Sequence, residues 1–354
     1  MRFAKRADAE AVMVGWTLLP EGEGARHWNE RLLQATDYTV FQSYGWGEFK
    51  RLDGWRPFRW ISYGGGGRIA AMVQLLVKTY PLGIAMGWAP GGPTILFAGN
   101  GEVRADCDLH ALFAAMRKHI PRVLVRFASY IPREAGAADV FSQACKRPGA
   151  RMTSGTSIVF DISGRDGAFI DQISSKHRYY VRKGEAASLR WEAGCEDSDI
   201  AALAALHREI TDTKGLKTEP VSELRLAALR DALGRDKMTI LTGYLDDLPV
   251  TSCLTLDFGK KSFYFVAATG SAGRKIGAAY AMLPRLVDVL QKKGIEQFDF
   301  GGIAPDSAKA EGVNHFKRGF GGNKVDYLGE WEWTNVPMLG PAVSLLIKYR
   351  GMAA

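Results

Sequence analysis

The order of predicted helices and strands limits the fold of this chain more than any other feature, because the same order occurs twice. In each half, helices precede a hairpin, and a strand, a helix and a further strand follow it. Apolar residues at helical spacing or in alternation define these elements. In the first half they are a helix over 26–34, hairpin strands over 58–63 and 69–77, a strand over 86–93, a helix over 109–119 and a strand over 122–127.

The second half contains a matching set of segments. Asp246 and Asp247 predict a turn between two hairpin strands, and Gly294 predicts the C-terminal end of a helix. The predicted elements are a strand over 157–162, helices over 173–187, 200–211 and 224–233, strands over 238–245, 249–257 and 261–267, a helix over 278–293 and a strand over 295–300.

These elements predict an α/β (α+β) fold of two related domains with mixed, mainly antiparallel sheets and a cleft between them. The amino-acid sequence itself does not repeat, so the relation rests on the repeated order alone. A length of 354 residues is typical of two domains. Pro148, Gly149, Ser154 and Gly155 cluster between the halves and predict a boundary near 148–156.

Charge and cysteine content narrow the classes of partner. A net charge of +8 indicates a polyanionic partner such as tRNA, a nucleotide or an anionic membrane surface, although a merely soluble basic protein fits the charge equally well. The four cysteines lack CxxC spacing, and the chain has only six histidines. We therefore expect reduced thiols, with no zinc site, no disulfide framework and no cofactor.

Signals that direct a protein to a membrane or out of the cell usually lie at the two ends of its sequence. Charges interrupt the first 14 residues, so we expect no secretory signal, and no run of about 18 uncharged apolar residues predicts a transmembrane helix. These features predict a cytoplasmic protein. The segment 336–350 is apolar and then basic; it predicts a helix packed on its own domain, with peripheral contact to a membrane surface as the alternative.

The segment 298–322 is the strongest candidate for chemistry. A predicted strand ends at Gly301 and Gly302, and a second glycine-rich stretch contains Phe316 and Lys317. Paired glycines let a backbone approach a ligand closely, and a lysine there suits a phosphate or a developing oxyanion. The alternative is a glycine-rich connection with a solvated lysine.

A second candidate is the segment from Arg274 to Ala279, which has the R-x-x-G-x-A form of GNAT-type N-acetyltransferases. In that form, backbone N–H groups at a helix start bind a pyrophosphate. Arg274 and Gly277 are therefore candidate substrate-binding residues. Glycine used for close helix packing is an equally good interpretation of this short pattern.

Two further segments combine basic and aromatic residues. In 174–184, Lys176 and Arg178 stand beside tyrosines, as in sites that bind phosphates and stack on bases, although a solvated helix face is the simpler interpretation. In 41–50, a helix would turn Trp46 inward and leave Lys50 near the surface. No nucleophile elbow, Walker loop, HExxH motif or Rossmann fingerprint is present in the sequence, which argues against the corresponding enzyme classes.

Taken together, these segments resemble the Fem (FemABX) family of aminoacyl-tRNA-dependent peptidyltransferases. The resemblance covers roughly residues 38–333 and rests on an ordered set of motifs. These motifs are Gln42-Ser43, Trp46-Gly47, Lys50, Gly54-Trp55, Pro90-Gly91-Gly92-Pro93, Lys176, Arg178, Val181-Arg182-Lys183, Asp299-Phe300-Gly301-Gly302-Ile303, Gly312-Val313, Phe316-Lys317 and Gly319-Phe320.

The resemblance implies two GNAT-like domains, which we assign to residues 1–152 with 335–354 and to residues 153–334. It implies transfer of an amino acid from aminoacyl-tRNA to an amine of a nucleotide- or lipid-linked peptidoglycan precursor. Lys50 would lie near the phosphates of the precursor, and Phe316 and Lys317 at the reacting ester. The segment 176–192 is too short for the coiled-coil arm of some members, so the resemblance implies an armless form.

Two positions depart from the pattern of some Fem proteins. Ala128 and Ser129 follow a predicted strand where an acid occurs in some members, and Glu219 stands near Lys217 where some place an arginine for precursor phosphates. The acceptor could therefore differ from the usual muropeptide.

The residues support three hypotheses about function. In the first, an acceptor amine attacks the activated aminoacyl ester directly, while Lys317 stabilises negative charge and Phe316 shapes the pocket. The second is an acyl-CoA-dependent N-acyltransferase that uses Arg274 to Ala279. The third is a non-catalytic protein that binds an anionic precursor.

Overall fold

The structure is a computed structural model, and it describes residues 15–22, 25–99, 102–104, 107–164, 168–214, 221–304 and 310–350. Lys217, Glu219 and the first 14 residues lie outside the described residues. The strands are β1 Gly15–Leu18, β2 Arg56–Tyr63, β3 Ile69–Thr79, β4 Ala85–Pro90, β5 Phe97–Gly99, β6 Glu102–Arg104, β7 Val123–Pro132, β8 Thr156–Asp161, β9 Arg190–Gly194, β10 Met238–Leu245, β11 Leu248–Phe258, β12 Lys261–Thr269, β13 Gln297–Gly302 and β14 Asn323–Thr334.

Twelve of these strands form one continuous sheet in the order β1-β2-β3-β4-β7-β14-β8-β13-β12-β11-β10-β9. Within this sheet, the pairs β4 with β7 and β12 with β13 are parallel, and the other neighbours are antiparallel. The predicted fold class, mixed α/β with mainly antiparallel pairing, is confirmed. Strands β5 and β6 form a separate two-stranded ribbon.

Strand β14 joins the two halves of the sheet. Its residues 323–326 pair with β8 of the second half, and its residues 329–334 pair with β7 of the first half. No sequence pattern predicted this strand, and the predicted second domain, residues 153–334, contains all of it. The domain division stays a prediction, but the strand contributes to both half-sheets.

Helices cover both faces of the sheet. The helices are α1 Ala25–Leu32, α2 Tyr44–Arg51, α3 Leu109–Arg117, α4 Ala138–Ser142, α5 Ala168–Gln172, α6 Ser175–Glu185, α7 Asp197–Lys214, α8 Glu223–Leu233, α9 Ser271–Ile276, α10 Ala278–Lys292, α11 Glu311–Arg318 and α12 Leu339–Tyr349. One apolar core includes residues of α1 and α2 together with residues of α7 and α8, so the two halves share it. Two further cores belong to one half each, one against α3 and one against α5, α6 and α10.

Local sequence explains where several elements begin and end. Asp246 and Asp247 both have positive φ and form the predicted hairpin turn. Gly294 has a φ of 77° just after α10, as predicted for a helix end. The helix predicted over 173–187 is present as α6, and it begins where the Ser174 hydroxyl caps it by accepting from the His177 N–H.

A buried arginine ties the joining strand to the rest of the molecule. The guanidinium of Arg126 on β7 donates to the Glu332 carboxylate on β14 at 3.0 Å, to the Ala150 carbonyl at 2.9 Å and to the Ser344 hydroxyl at 3.1 Å. The Glu330 carboxylate lies 3.6 Å away. Both carboxylates are buried, so the arginine is their neutralising charge.

We expect Arg126→Ala to lower the free energy of unfolding by about 3–5 kcal/mol, because it leaves buried carboxylates without their cation. Urea unfolding followed by tryptophan fluorescence measures this change. Arg117→Ala, on the last turn of α3, is the control and should leave the free energy nearly unchanged. Equal unfolding curves for the Arg126 variant and the unmodified protein would contradict the assigned role.

Candidate functional site

The two parallel strands of the second half separate where the predicted glycine pair begins. Pairing of β12 with β13 runs from Lys261 and Gln297 to Phe263 and Asp299 and ends there. Gly301 follows with a φ of 79°, a conformation that glycine adopts at little cost. The strand ends therefore leave a gap in the sheet beside Gly301.

Helix α11 places Lys317 in this gap. Its ammonium donates to the Gly302 carbonyl at 2.9 Å and lies 5.5 Å from the centre of the Phe300 ring. A Cβ atom on Gly301 would stand 3.3 Å from Lys317 Nζ, which is closer than most such contacts. The structure thus brings Gly301, Gly302 and Lys317 together, in agreement with the glycine-lined site expected from the sequence.

Asp299 is the acidic neighbour of this lysine, and it is absent from the site residues predicted from the sequence. Its carboxylate accepts hydrogen bonds from the Ser157 hydroxyl, from the Gly301 N–H at 2.8 Å and from the Tyr327 hydroxyl at 3.2 Å. Burial raises the pKa of Asp299, and these hydrogen bonds oppose the rise. Asp299 and Gly301 belong to the motif Asp299–Ile303. Ser157 and Tyr327 come from the distant strands β8 and β14, so no local motif marks them.

Burial and the Asp299 carboxylate together set the protonation state of Lys317. Burial lowers the pKa of Lys317 to about 8, and the nearby Asp299 carboxylate opposes this lowering. A lysine with such a pKa is mostly protonated at neutral pH and loses its proton just above it. The site therefore holds an ammonium whose charge depends on one carboxylate.

A cavity of about 290 Å³ opens on the side of Asp299, between the two halves of the molecule. Its lining combines apolar side chains with a few polar groups. The lining residues are Thr36, Asp37, Tyr38, Thr39, Val40, Leu96, Tyr130, Pro132, Ala135, Val159, Leu256, Lys261, Ser262, Phe263, Gln297, Asp299, Val325 and Tyr327.

Three polar groups in the cavity wall have distinct surroundings. The Asp37 carboxylate accepts from the Ile95 and Leu96 N–H groups, and burial raises its pKa. The Lys261 ammonium donates to the Thr36 carbonyl at 2.5 Å, and burial lowers its pKa. The hydroxyl of Tyr130 forms no hydrogen bond with any residue that the structure describes, and burial raises its pKa.

Phe316, the other predicted catalytic residue, lies in an aromatic cluster and not in the cavity wall. Its ring centre is 5.1 Å from those of Tyr280 and Phe320. Its carbonyl accepts from Nε2 of the buried His177 at 3.1 Å. The phenylalanine and the histidine together anchor the end of α11 that carries Lys317. His177 is absent from the residues predicted from the sequence, because one histidine in a basic segment gives no separate signal.

The segment Arg274 to Ala279 is covered by another helix. Gly277 is buried, and a Cβ atom on Gly184 of α6 would stand 2.7 Å from the Gly277 carbonyl oxygen. Arg274 donates to the Thr269 carbonyl at 2.7 Å, within its own turn. This packing favours the interpretation of Gly277 as a helix-contact residue, and its predicted pyrophosphate role stays a prediction.

Lys176 and Arg178 begin α6 on either side of His177. Lys176 is exposed and Arg178 is half-buried, so both basic groups are available at the surface. Because His177 contacts Phe316, the structure brings this end of α6 against the helix that carries Lys317. Their predicted role in substrate binding stays a prediction.

Trp46 and Lys50 lie on α2, as predicted, with Trp46 turned inward. The Lys50 ammonium pairs with the Asp53 carboxylate at 2.6 Å, and Arg225 of α8 binds the same carboxylate at 2.6 Å. Hydrogen bonds from Arg225 and Lys50 lower the pKa of Asp53 to about 2. Among the described residues, no contact joins Lys50 to Lys317, and the phosphate contact predicted for Lys50 would require this ion pair to open.

The described residues contain neither a candidate metal site nor a candidate membrane-spanning helix. No group of three or more His, Cys, Asp and Glu residues in the described ranges could hold a metal ion. No helix within the same ranges has the length and apolar content needed to span a membrane.

Comparisons with known proteins agree with the motifs. The model of the FemAB family matches residues 203–348. No curated protein matches the chain. Among solved structures, FemX is similar with a TM-score of 0.77 and 15% identity, over 92% of this chain and 98% of that chain.

Two further solved structures share the fold. L-PGS from Bacillus licheniformis matches with a TM-score of 0.53 and 13% identity, over 94% of this chain and 98% of that one. The C-terminal domain of a putative lysylphosphatidylglycerol synthetase from Agrobacterium fabrum matches with a TM-score of 0.53 and 10% identity, over 90% and 96%. At these identities the structural matches establish the fold and not the activity.

We expect Asp299→Asn to lower the pKa of Lys317 below about 8, because it removes the charge that favours the ammonium. NMR of lysines labelled at Cε follows this titration directly. Ser157→Ala is the matched control, since it removes one hydrogen bond to Asp299 and keeps the charge. An unchanged Lys317 pKa in the Asn variant would show that the two groups are not coupled.

Proposed function

We propose that this chain is an acyltransferase that moves an amino acid from aminoacyl-tRNA to an amine of a peptidoglycan precursor, and the match of the FemAB family model to residues 203–348 supports this proposal. The observation that carries the proposal is the position of Lys317, in a gap of the sheet and beside Asp299. Both substrates of such a reaction occur in the cytoplasm, which is the proposed location.

The proposed reaction needs positioning and charge stabilisation more than bond activation, because an aminoacyl ester is already reactive. The amine nitrogen bonds to the ester carbonyl carbon, and the bond from that carbon to the ribose oxygen breaks. The ribose oxygen leaves with the proton that the amine loses. No covalent enzyme intermediate is required, and a water, a tRNA hydroxyl or a backbone carbonyl could relay the proton.

Lys317 is the proposed stabiliser of the negative charge that develops on the carbonyl oxygen. Half-burial strengthens its effect, since the charge acts in a medium of lower dielectric constant than water. Phe316 supports this role indirectly, through its packing against Tyr280 and Phe320 and its hydrogen bond from His177. Gly301 and Gly302 let the ester approach the backbone.

The two substrates are proposed to approach Lys317 from different sides. The cavity beside Asp299 would take the amine end of the acceptor, with the hydroxyl of Tyr130 as a donor in its wall. The basic start of α6, with Lys176 and Arg178, would contact the phosphates of the tRNA. Support for this arrangement comes from the contact of α6 with α11 through His177.

We expect Lys317→Met to lower the rate of transfer by at least about tenfold while the fold survives, in analogy with loss of one oxyanion donor. The measurement is the mass gain of cell-wall precursors incubated with a mixture of charged tRNAs. Lys275→Met, an exposed residue of α9, is the control. An unaltered rate in the Lys317 variant would remove this lysine from the mechanism.

The pH dependence gives a second check on the same residue. Lys317 acts as an ammonium and its pKa is about 8, so the rate should fall as pH rises through about 8. A conservative Lys317→Arg change should move this fall to a higher pH, because arginine stays protonated. A fall near pH 8 that persists in the arginine variant would assign the titration to another group.

The acyl-CoA hypothesis has less support, because α6 packs over Gly277. We expect calorimetric titration with acetyl-CoA to show no tight binding, whereas tight binding abolished by a change at Gly277 would favour that donor. Multiple-turnover product formation would exclude a non-catalytic binder. One fold neighbour carries a name that refers to lysylphosphatidylglycerol, so the acceptor screen should include phosphatidylglycerol beside nucleotide- and lipid-linked muropeptides.

A further inference from the structure

The C-terminal helix α12 has an apolar face that points away from the protein. Its inward side is formed by Gly340, Ser344 and Ile347, which are buried. Outward, Met338 just before the helix is 74% exposed, and on the helix Leu345 is 70%, Leu346 48% and Tyr349 89% exposed. Pro341 and Ala342 are exposed between them. We call Met338, Pro341, Ala342, Leu345, Leu346 and Tyr349 the outer face.

The inward side of α12 packs closely on the protein, and this packing fixes which side of the helix faces outward. Gly340 lies so close to the Glu332 carboxylate that any side chain there would collide with it. The Ser344 hydroxyl accepts from the buried Arg126 guanidinium at 3.1 Å. The confirmed packing of this helix on its own domain therefore fixes the apolar outer face toward solvent.

Cations surround the outer face. Lys348 and Arg350 are exposed at the end of the helix. The segment before β8 runs alongside, since a Cβ atom on Gly149 would stand 3.3 Å from that of Ser344, and this segment carries the exposed Lys146 and Arg151. Within the described ranges, no ion pair neutralises any of these four cations.

We propose that α12 docks the protein on the surface of an anionic lipid bilayer, with the outer face among the acyl chains and the four cations at the headgroups. An apolar stripe rimmed by lysine and arginine is the pattern by which interfacial helices bind anionic membranes. A second copy of this chain would bring the same cations against each other, which disfavours self-association through this face. The inference does not depend on the reaction that the protein catalyses.

The test compares binding of the full chain to vesicles of phosphatidylglycerol with phosphatidylcholine and to vesicles of phosphatidylcholine alone, by co-sedimentation. We expect preferential binding to the anionic vesicles that weakens as ionic strength rises. The double variant Leu345→Glu with Tyr349→Glu should bind at least about tenfold more weakly, because it places charge where apolar contact is required.

The matched control adds the same two charges elsewhere. Leu224 and Leu248 are 80% and 68% exposed, on α8 and on the β10–β11 hairpin, and their double change to Glu should leave vesicle binding intact. An equal loss of vesicle binding in both double variants would show that the change in net charge alone causes the loss, and it would overturn the proposal. So would absence of binding to anionic vesicles, or sedimentation as a dimer that the Leu345 and Tyr349 changes dissociate.

Discussion

The pairing of one strand with both halves of the molecule is the constraint on which the remaining structure depends. Strand β14 continues from β8 to β7, and its backbone groups are satisfied by both. The halves cannot separate along this line without leaving buried N–H and C=O groups unpaired. The sheet is therefore continuous, and the cavity between the halves has walls in a fixed relation. Tyr327 stands at the junction, where it reaches Asp299.

The candidate site depends on a balance between desolvation and charge. Removing Lys317 from water favours its neutral form, and the carboxylate of Asp299 favours the ammonium. The balance leaves a pKa of about 8, close enough to neutrality for surrounding groups to control the charge. Burial raises the pKa of Asp299, and hydrogen bonds from Ser157, Gly301 and Tyr327 oppose that rise. A cation in this position is a product of the whole fold and not of its helix alone.

Particular residues show how much of the candidate site can be predicted from the sequence. Gly301, Gly302 and Lys317 lie within one stretch of 17 residues, and their proximity follows from a strand, a turn and a short helix. The sequence predicted that Lys50 is available for a ligand. In the structure its ammonium pairs with the Asp53 carboxylate, which also binds Arg225 of α8. The R-x-x-G-x-A pattern fits a binding loop and a packing contact equally well. The position of α6, which no local pattern encodes, favours packing.

The sequence by itself determined most of the helices and strands, the mixed α/β class, the glycine-lined end of β13 and the resemblance to Fem proteins. These features depend on periodicity and on short motifs, which a chain carries wherever it folds. Only the tertiary structure decided that β14 joins the half-sheets, that Arg126 meets Glu332, and that Asp299 faces Lys317 and Tyr327. The physical reason is that strand pairing and electrostatic coupling depend on distance in space, and a side-chain pattern records which face is buried but not what lies against it.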